Sequence, residues 1–322
     1  MWIHILDQPS KEARNLLLSK LDKSISITFG SDLPEGEKVE GLVAGRPTQD
    51  HLDQFESLRF LIVPWAGIPS ETISLLDNNP KIQLYNLHHN AAPAAELALA
   101  LLLAAAKRVI RFDQDLRKND WSLRYQESET VLLEGKRALI LGYGKIGQRI
   151  KKSLEGLGVT VQVIKRSLKE KDPRPFIFPL SKLKDLLPET EILILALPLT
   201  DETEGMITEN ELSLLPKNAI LINISRGKII DQRALFNVLK ENKIFGAGLD
   251  VWYNYPKQPD DRVETRPADY PFDELANVVM SPHRGGLVKE TERLRMSALA
   301  RSLNAAAKGD LIPNHVNLEL GY

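Results

Sequence analysis

The sequence predicts an α/β protein with two doubly wound parallel sheets, each in its own domain. Short apolar runs, many of them β-branched, recur along the chain with helix-like segments between them, and this alternation is typical of parallel sheets covered by helices. The length of 322 residues exceeds the roughly 250 to 300 residues at which one hydrophobic core stops growing. We therefore expect two domains rather than one.

The strand candidates form two series, one on each side of a long apolar segment. The first series comprises WIHIL (2–6), ISITF (25–29), GLVAG (41–45), RFLIVP (59–64) and IQLYNL (82–87). The second comprises RALILG (137–142), VTVQVI (159–164), EILILAL (191–197), AILIN (219–223), IFGAGLD (244–250) and NVVMS (277–281). Both series predict Rossmann-like sheets, and the first is expected to be flavodoxin-like.

Two long helices are predicted to carry the chain between the domains. One covers residues 91 to about 118, and the other covers 287 to about 308 and ends at Gly309. The second helix returns the chain to the first domain, which is therefore interrupted. We predict a first domain of residues 1–92 and 288–322 and a second domain of residues 93–287.

Composition and charge exclude several classes of protein. Basic and acidic residues nearly cancel, 42 against 43, so no overall field favours nucleic acid or an anionic membrane. The absence of cysteine excludes disulfides, thiol catalysis and thiolate metal sites, and we predict no metal site. The start lacks a basic region followed by a long apolar run, and the apolar segment 91–109 is too short to span a bilayer. We therefore expect a cytoplasmic protein.

The turn after the first strand of the second series carries the pattern Gly-x-Gly-x-x-Gly. A helix with one apolar face follows it and is predicted to end at Gly158. Glycines allow a tight turn and a close backbone approach, and the unpaired N–H groups of a helix N-terminus bind pyrophosphate. This context predicts a dinucleotide site formed by Gly142, Gly144, Lys145, Ile146 and Gly147.

The end of the next strand indicates which dinucleotide is bound. An NAD site usually places a carboxylate there, about 20 residues after the glycines, to bind the ribose 2′-hydroxyl. Here the residues are Lys165, Arg166 and Ser167, and no Asp or Glu lies between Glu155 and Glu170. Cations and a hydroxyl suit a 2′-phosphate, so we predict NADP(H), with NAD(H) as the second candidate. A role as ordinary solvated cations at a strand end stays open.

Segments farther along the chain resemble motifs of the D-2-hydroxyacid dehydrogenase family. They are PLTDETEGMIT (198–208), LINISRGKIIDQRAL (221–235), GAGLDVW (246–252) and SPHRGG (281–286), in the family's order and spacing. The segment NAAPAAELALALLLAAAKR (90–108), followed by Trp121, is similar to the family's interdomain and dimer-forming helix. The resemblance covers nearly the whole chain. It implies a homodimeric enzyme that uses a nicotinamide cofactor on a small 2-oxo or 2-hydroxy acid.

The resemblance also implies site roles in both domains. Arg226 would bind the substrate carboxylate and polarise its carbonyl, because a guanidinium fork matches a carboxylate and keeps its charge. In PWAGIPS (64–70), Ala66 and Gly67 would offer backbone amides to that carboxylate, and Trp65 would line the pocket. The cofactor would further contact Leu197, Pro198, Thr203, Ile224, Ser225, Asp250 and Gly285.

By the same resemblance, His283 in SPHRGG would donate a proton to the carbonyl oxygen as hydride arrives. The family usually places a glutamate 29 positions after its arginine to hold this histidine, and Tyr255 stands there instead. Asp250 and Pro256 keep the register, so the glutamate is replaced rather than shifted. A tyrosine hydroxyl could hydrogen-bond the imidazole but brings no negative charge. We therefore expect carbonyl reduction to fall away at lower pH than in relatives with the glutamate.

The long loop before His283 could supply the missing charge. This loop is enlarged relative to the family pattern and is rich in acidic residues. A carboxylate that folds back to the imidazole would restore the usual arrangement. The candidates are Asp260, Asp261, Glu264, Asp269, Asp273 and Glu274.

Together these features predict an NADPH-preferring reductase of small 2-oxo acids, with Arg226 and His283 working in a cleft between the domains. Glyoxylate and hydroxypyruvate are the expected substrates, by analogy with relatives that have a basic cofactor loop. A dinucleotide-sensing binding protein with little catalysis is the alternative, and Tyr255 is the feature that favours it. A formate dehydrogenase is a further alternative, since its D-V-W motif resembles Asp250 to Trp252.

Overall fold

The computed structural model describes residues 1–32, 34, 38–165, 168 and 173–318. The chain divides into two compact units. The first comprises Met1–Asn90 and Leu287–Tyr322, and the second comprises Ala91–Gly286. None of the helices in the described part of the chain combines the length and hydropathy that a bilayer crossing demands.

The first unit is built on a five-stranded parallel sheet in the order β2-β1-β3-β4-β5. Its strands are β1 (Trp2–Ile5), β2 (Ser26–Phe29), β3 (Val39–Val43), β4 (Phe60–Val63) and β5 (Gln83–Asn86). The connecting helices are α1 (Lys11–Lys20), α2 (Gln49–Asp53) and α3 (Ser70–Asp77). Helix α1 begins after Ser10, whose side chain accepts a hydrogen bond from the backbone N–H of Ala13. β4 is buried along its whole length, as expected for a parallel strand covered on both faces.

The second unit is built on a seven-stranded parallel sheet in the order β12-β11-β10-β9-β6-β7-β8. Its strands are β6 (Arg137–Leu141), β7 (Thr160–Ile164), β8 (Ile177–Phe178), β9 (Ile192–Leu195), β10 (Ile220–Asn223), β11 (Gly246–Leu249) and β12 (Val278–Met280). The chain proceeds outward from β6 in one direction and from β9 in the other. The carboxyl ends of these two neighbours therefore form the topological switch point at which such sheets bind ligands.

Helices cover the second sheet and join its strands. They are α4 (Ala91–Ala106), α5 (Val109–Leu116), α6 (Lys145–Gly156), α7 (Leu183–Leu186), α8 (Glu209–Ser213) and α9 (Gln232–Lys240). Single 3₁₀ turns cover Ser122–Tyr125, Leu180–Lys182, Leu187–Glu189, Gly227–Ile229, Pro259–Val263 and Phe272–Glu274.

The last helix, α10 (Thr291–Lys308), belongs to the first unit and packs against α1. The side chain of Asn304 fixes this contact, since it accepts from the N–H of Asp22 at 2.9 Å and donates to the carbonyl of Lys20 at 2.8 Å. The helix ends at Gly309, whose left-handed φ of +73° closes its last turn.

The prediction of two parallel-sheet α/β regions is confirmed, and each predicted run overlaps a strand. Two details differ. The two-residue strand β8 was not predicted, because it is too short to carry a pattern. The single helix predicted from residue 91 to about 118 was wrong, because the chain breaks at Arg108, whose φ is +52°. The guanidinium of Arg108 lies 4.2 Å from the ring centroid of Phe245, and this contact accompanies the break.

Candidate active site

The predicted site residues of the second unit follow the carboxyl ends of its parallel strands. Carboxyl ends of parallel strands meet at one edge of the sheet, which brings these loops together. The set includes Gly142 after β6, Lys165 after β7, Leu197 after β9, Arg226 after β10, Asp250 after β11 and His283 after β12.

The glycine turn after β6 leaves room in front of helix α6. A Cβ on Gly142 would lie 2.4 Å from the carbonyl oxygen of Ala196, and a Cβ on Gly147 would lie 2.2 Å from the carbonyl oxygen of Gly142. Neither position accommodates a larger residue. A Cβ on Gly144, which begins α6, would meet no atom within 4 Å. This open space at a helix N-terminus fits the approach of a pyrophosphate, so the residues present suit a dinucleotide.

The turn predicts that Gly144→Ala separates cofactor binding from stability. The added methyl enters open space and costs little folding energy, but it occupies the approach path of the pyrophosphate. We expect the dissociation constant for NADPH to rise at least tenfold, a loss of about 1.4 kcal/mol of binding free energy, with an unchanged melting temperature. Calorimetric titration and thermal unfolding measure the two quantities. Gly156→Ala is the matched control, because its methyl also meets no atom within 4 Å and it lies at the far end of α6. Equal NADPH affinity in both variants would contradict this placement of the pyrophosphate.

The end of β7 carries the residues predicted to choose between NADP and NAD. The backbone N–H of Lys165 donates to the carbonyl of Phe178 at 3.0 Å, which fixes the start of this segment. Arg166 and Ser167 lie outside the described residues.

The loop after β9 is held by hydroxyl groups. The buried Thr203 accepts from the N–H of Thr200 and donates to the carbonyl of Pro198, both at 2.8 Å. The hydroxyl of Ser225, in the loop after β10, donates to the carbonyl of Leu197. Both hydroxyls are therefore used inside the protein. Thr203 and Ser225 therefore stabilise the conformation of the two loops. Ile224, which precedes Ser225, is half-buried.

Arg226 is an exposed cation held by its neighbours at the end of β10. Its Nη1 donates to the carbonyl of Ser225 at 2.7 Å, and no carboxylate among the described residues forms an ion pair with it. Asn223 is 1% exposed, and its side chain accepts from the N–H of Ser225 and donates to the carbonyl of Arg226, both at 3.0 Å. Sequence reasoning missed Asn223. A polar residue that ends the apolar strand ILIN was a signal for it.

Asp250 anchors the loop that carries His283. It is 1% exposed, and its Oδ1 accepts from the hydroxyl of Ser281 at 2.5 Å and from the N–H of Arg284 at 2.8 Å. Its Oδ2 accepts from the N–H of Gly285 at 2.8 Å. His283 itself has a left-handed φ of +57°. Both carboxylate oxygens of Asp250 thus hold the histidine loop, a role that the sequence did not reveal.

Tyr255 contacts His283 through its ring. The two ring centroids lie 5.6 Å apart, with the planes tilted by 57°. The hydroxyl of Tyr255 accepts from the backbone N–H of Trp252 at 3.1 Å. The expectation that this hydroxyl would hydrogen-bond the imidazole is therefore corrected, because the hydroxyl points to the backbone and the ring faces the histidine.

Burial and the nearby charges together favour the neutral form of His283. Partial desolvation lowers the pKa of His283 the most, the guanidinium of Arg226 lowers it further, and the carboxylate of Asp250 acts in the opposite direction. Desolvation raises the pKa of Tyr255, so its phenol stays neutral at physiological pH. Arg226, Asp250, Tyr255 and His283 are therefore brought together in the second unit.

The acidic loop does not rescue the missing charge within the described residues. Asp261 accepts hydrogen bonds from two backbone amides at the start of its own 3₁₀ turn, and Asp269 accepts from two amide side chains. Asp250 is the carboxylate whose charge acts on His283. These two carboxylates therefore stabilise the conformation of the loop and its contact with α9.

The predicted substrate loop of the first unit is fixed from two sides. Trp65 packs so closely on Gly45 that a Cβ there would lie 1.8 Å from the indole ring. The carbonyl of Ala66 accepts from the side chain of Asn86 at 2.7 Å. Gly67 is exposed, and neither the Ala66 nor the Gly67 amide donates to an acceptor in the described part of the chain. These two amides are available to an anion.

Comparisons with known proteins agree on one family. Residues 99–285 match the family model "D-isomer specific 2-hydroxyacid dehydrogenase, NAD binding domain". The glyoxylate reductase of Korarchaeum cryptofilum is 37% identical over 231 residues, and that of Aeropyrum pernix is 39% identical over 232 residues. Each match covers 70% of this chain and 66% of the relative, slightly less than two thirds of its length.

A solved structure shares the fold over almost the whole chain. It is a D-isomer specific 2-hydroxyacid dehydrogenase from Xanthobacter autotrophicus Py2 in complex with NADPH and MES. The TM-score is 0.79 at 22% identity, with 99% of each chain covered. At this identity the likeness concerns the fold alone.

Proposed function

This chain belongs to the D-isomer specific 2-hydroxyacid dehydrogenase family, and on that basis we propose that it transfers a hydride between a nicotinamide cofactor and a small 2-oxo or 2-hydroxy acid. The observation that carries the proposal is that Arg226, which forms no ion pair with a carboxylate among the described residues, acts on His283. Asp250 anchors the loop of His283 at the same edge of the sheet. A guanidinium for the substrate carboxylate and an imidazole for the proton are the groups that this chemistry needs.

In reduction, Arg226 binds the substrate carboxylate through its planar fork and draws electrons from the neighbouring carbonyl. His283 donates a proton to the carbonyl oxygen from an orientation fixed by the hydrogen bonds of Asp250. The reduced nicotinamide supplies the hydride when bound. In the first unit, the amides of Ala66 and Gly67, which donate to no acceptor among the described residues, are proposed to bind a carboxylate, with Trp65 lining that part of the first unit.

Glyoxylate and hydroxypyruvate are the proposed substrates. The matched relatives are named glyoxylate reductases, which supports a 2-oxo acid with a short side chain. NADPH is the proposed cofactor form, because Lys165, Arg166 and Ser167 stand where a carboxylate would bind the NAD ribose.

The experiment that tests the function measures absorbance of NADPH and of NADH with a panel of 2-oxo acids. We expect turnover of glyoxylate and hydroxypyruvate and a kcat/KM that is at least tenfold higher with NADPH. Lys165→Asp should reverse the preference, because a carboxylate repels the 2′-phosphate and binds the 2′-hydroxyl. Tight NADPH binding without turnover of any 2-oxo acid would instead support the dinucleotide-sensing alternative. The enzymatic names of the relatives and the presence of both Arg226 and His283 do not favour that alternative.

Helix α5 supports a homodimer as part of the proposal. It has no buried residue, and the apolar side chains of Val109, Ile110, Phe112 and Leu116 are all exposed. Trp121, shortly after the helix, is 59% exposed. Contiguous apolar surface of this kind marks an interaction site, and a second copy of the chain would cover it. A cytoplasmic location completes the proposal, because a chain without cysteine does not depend on an oxidising compartment.

A further inference from the structure

His283 lacks a carboxylate partner within the described residues. The charge of Asp250 raises the pKa of His283, but both carboxylate oxygens of Asp250 already accept hydrogen bonds, from the hydroxyl of Ser281 and the N–H groups of Arg284 and Gly285. The ring of Tyr255 contacts the imidazole, and its hydroxyl accepts a hydrogen bond from the backbone N–H of Trp252. The guanidinium of Arg226 also acts on the imidazole, and it opposes protonation. On balance the pKa of His283 lies below its ordinary value, so the protonated imidazole is lost at a lower pH than usual.

A neutral imidazole is a poor partner for a carbonyl and a good one for an iminium. A carbonyl oxygen must receive a proton as hydride arrives, and only the protonated fraction of the imidazole, which falls as pH rises, can give that proton. A protonated C=N group already carries that proton, and it can donate a hydrogen bond to the imidazole nitrogen. A protonated imidazole would instead place a second cation beside the iminium.

We propose that this site also reduces 2-imino acids, formed from a 2-oxo acid and ammonia or a small primary amine, to 2-amino acids. The inference rests on the proposed function, because Arg226 binds the same carboxylate and the same hydride donor is used. Two features favour the imino substrate: Tyr255 brings no negative charge to the imidazole, and both carboxylate oxygens of Asp250 already accept hydrogen bonds.

The reaction balances without a proton donor from the protein. Condensation of the oxo acid with the amine releases water and forms the imine, whose nitrogen takes a proton from solvent. A hydride from the reduced cofactor brings its electron pair to C2 and forms a new C–H bond. The π pair of the C=N bond moves onto the positive nitrogen, which becomes a neutral amine. Solvent then protonates the amine, and the cofactor is left oxidised by two electrons.

The test supplies the protein with NADPH, glyoxylate and methylamine between pH 7 and pH 9 and identifies the products by mass spectrometry. We expect N-methylglycine beside the hydroxy acid, and at least a tenfold rise in the ratio of amino to hydroxy product across this range. The hydroxy acid alone at every pH would overturn the inference and leave the proposed function standing. Absence of both products would overturn the inference and the proposed function together.

Two variants of Tyr255 test the cause. Tyr255→Glu restores a carboxylate beside the imidazole, which should raise its pKa by about one to three units. We expect the ratio of amino to hydroxy product at pH 8 to fall at least tenfold, while Tyr255→Phe, which keeps the ring, retains the ratio of the unmodified chain. Nuclear magnetic resonance titration of His283 reads the pKa without turnover. A raised pKa with an unchanged product ratio would contradict the role given to Tyr255.

Discussion

The Arg226→Lys variant is expected to lose about 10²- to 10³-fold in kcat/KM for the 2-oxo acid, or about 3 to 4 kcal/mol. Lysine keeps the charge but presents a single point donor, whereas the guanidinium binds a carboxylate with two parallel hydrogen bonds. Loss of the fork also lets the carbonyl drift from the orientation that hydride transfer requires. Steady-state kinetics with NADPH measures the effect on KM and on kcat.

The matched control is Arg233→Lys, an exposed arginine on α9 in the same unit. It should leave kcat/KM within twofold of the unmodified chain. The affinity for NADPH should be unchanged in both variants, because neither side chain belongs to the glycine turn. If Arg226→Lys kept kcat/KM within twofold, Arg226 would not be the group that binds the substrate carboxylate.

His283→Asn is expected to lower kcat for oxo-acid reduction by about 10²- to 10⁴-fold, the usual contribution of a positioned acid. Asparagine is chosen because His283 has a φ of +57°, and Asn tolerates the left-handed region better than most residues. The hydrogen bonds of Asp250 to this loop come from other residues and remain. The melting temperature should therefore stay close to that of the unmodified chain, which separates lost chemistry from lost structure.

The pH profile gives this prediction its sign. Desolvation and Arg226 lower the pKa of His283, so the protonated acid is lost as pH rises through a value below 6.5. The kcat/KM for carbonyl reduction, which reports the free enzyme, should fall about tenfold per pH unit above that value. His283→Asn should abolish this limb of the profile. A reduction rate that stays flat to pH 8 and beyond in the unmodified chain would refute the assignment of His283 as the acid.

Local patterns predicted the sheets and the glycine turn well. Strands such as β9 and β10 are apolar runs buried on both faces, so composition alone marks them. The glycines at 142 and 147 are required by contacts with backbone atoms close by in the fold, and their spacing records that need. The strands and the glycine spacing can be read from short stretches of chain, although the atom that excludes a side chain at Gly142 belongs to the distant Ala196.

Features that depend on distant contacts were missed. The break at Arg108 goes with stacking on Phe245, far away in the sequence, and nothing near Arg108 marks it. The anchoring of the histidine loop joins Asp250 to residues more than 30 positions later. The sequence also did not show the direction of the Tyr255 hydroxyl, which in the fold accepts from the N–H of Trp252.

Direct hydride transfer to C2 is the central claim, and isotope transfer tests it most directly. Two samples of NADPH, each deuterated on one face of C4, are incubated separately with the protein and hydroxypyruvate, and the product is examined by mass spectrometry and chiral chromatography. The account predicts that one of the two samples delivers deuterium to C2 of a D-configured hydroxy acid. A hydroxy acid without deuterium from either sample would contradict it.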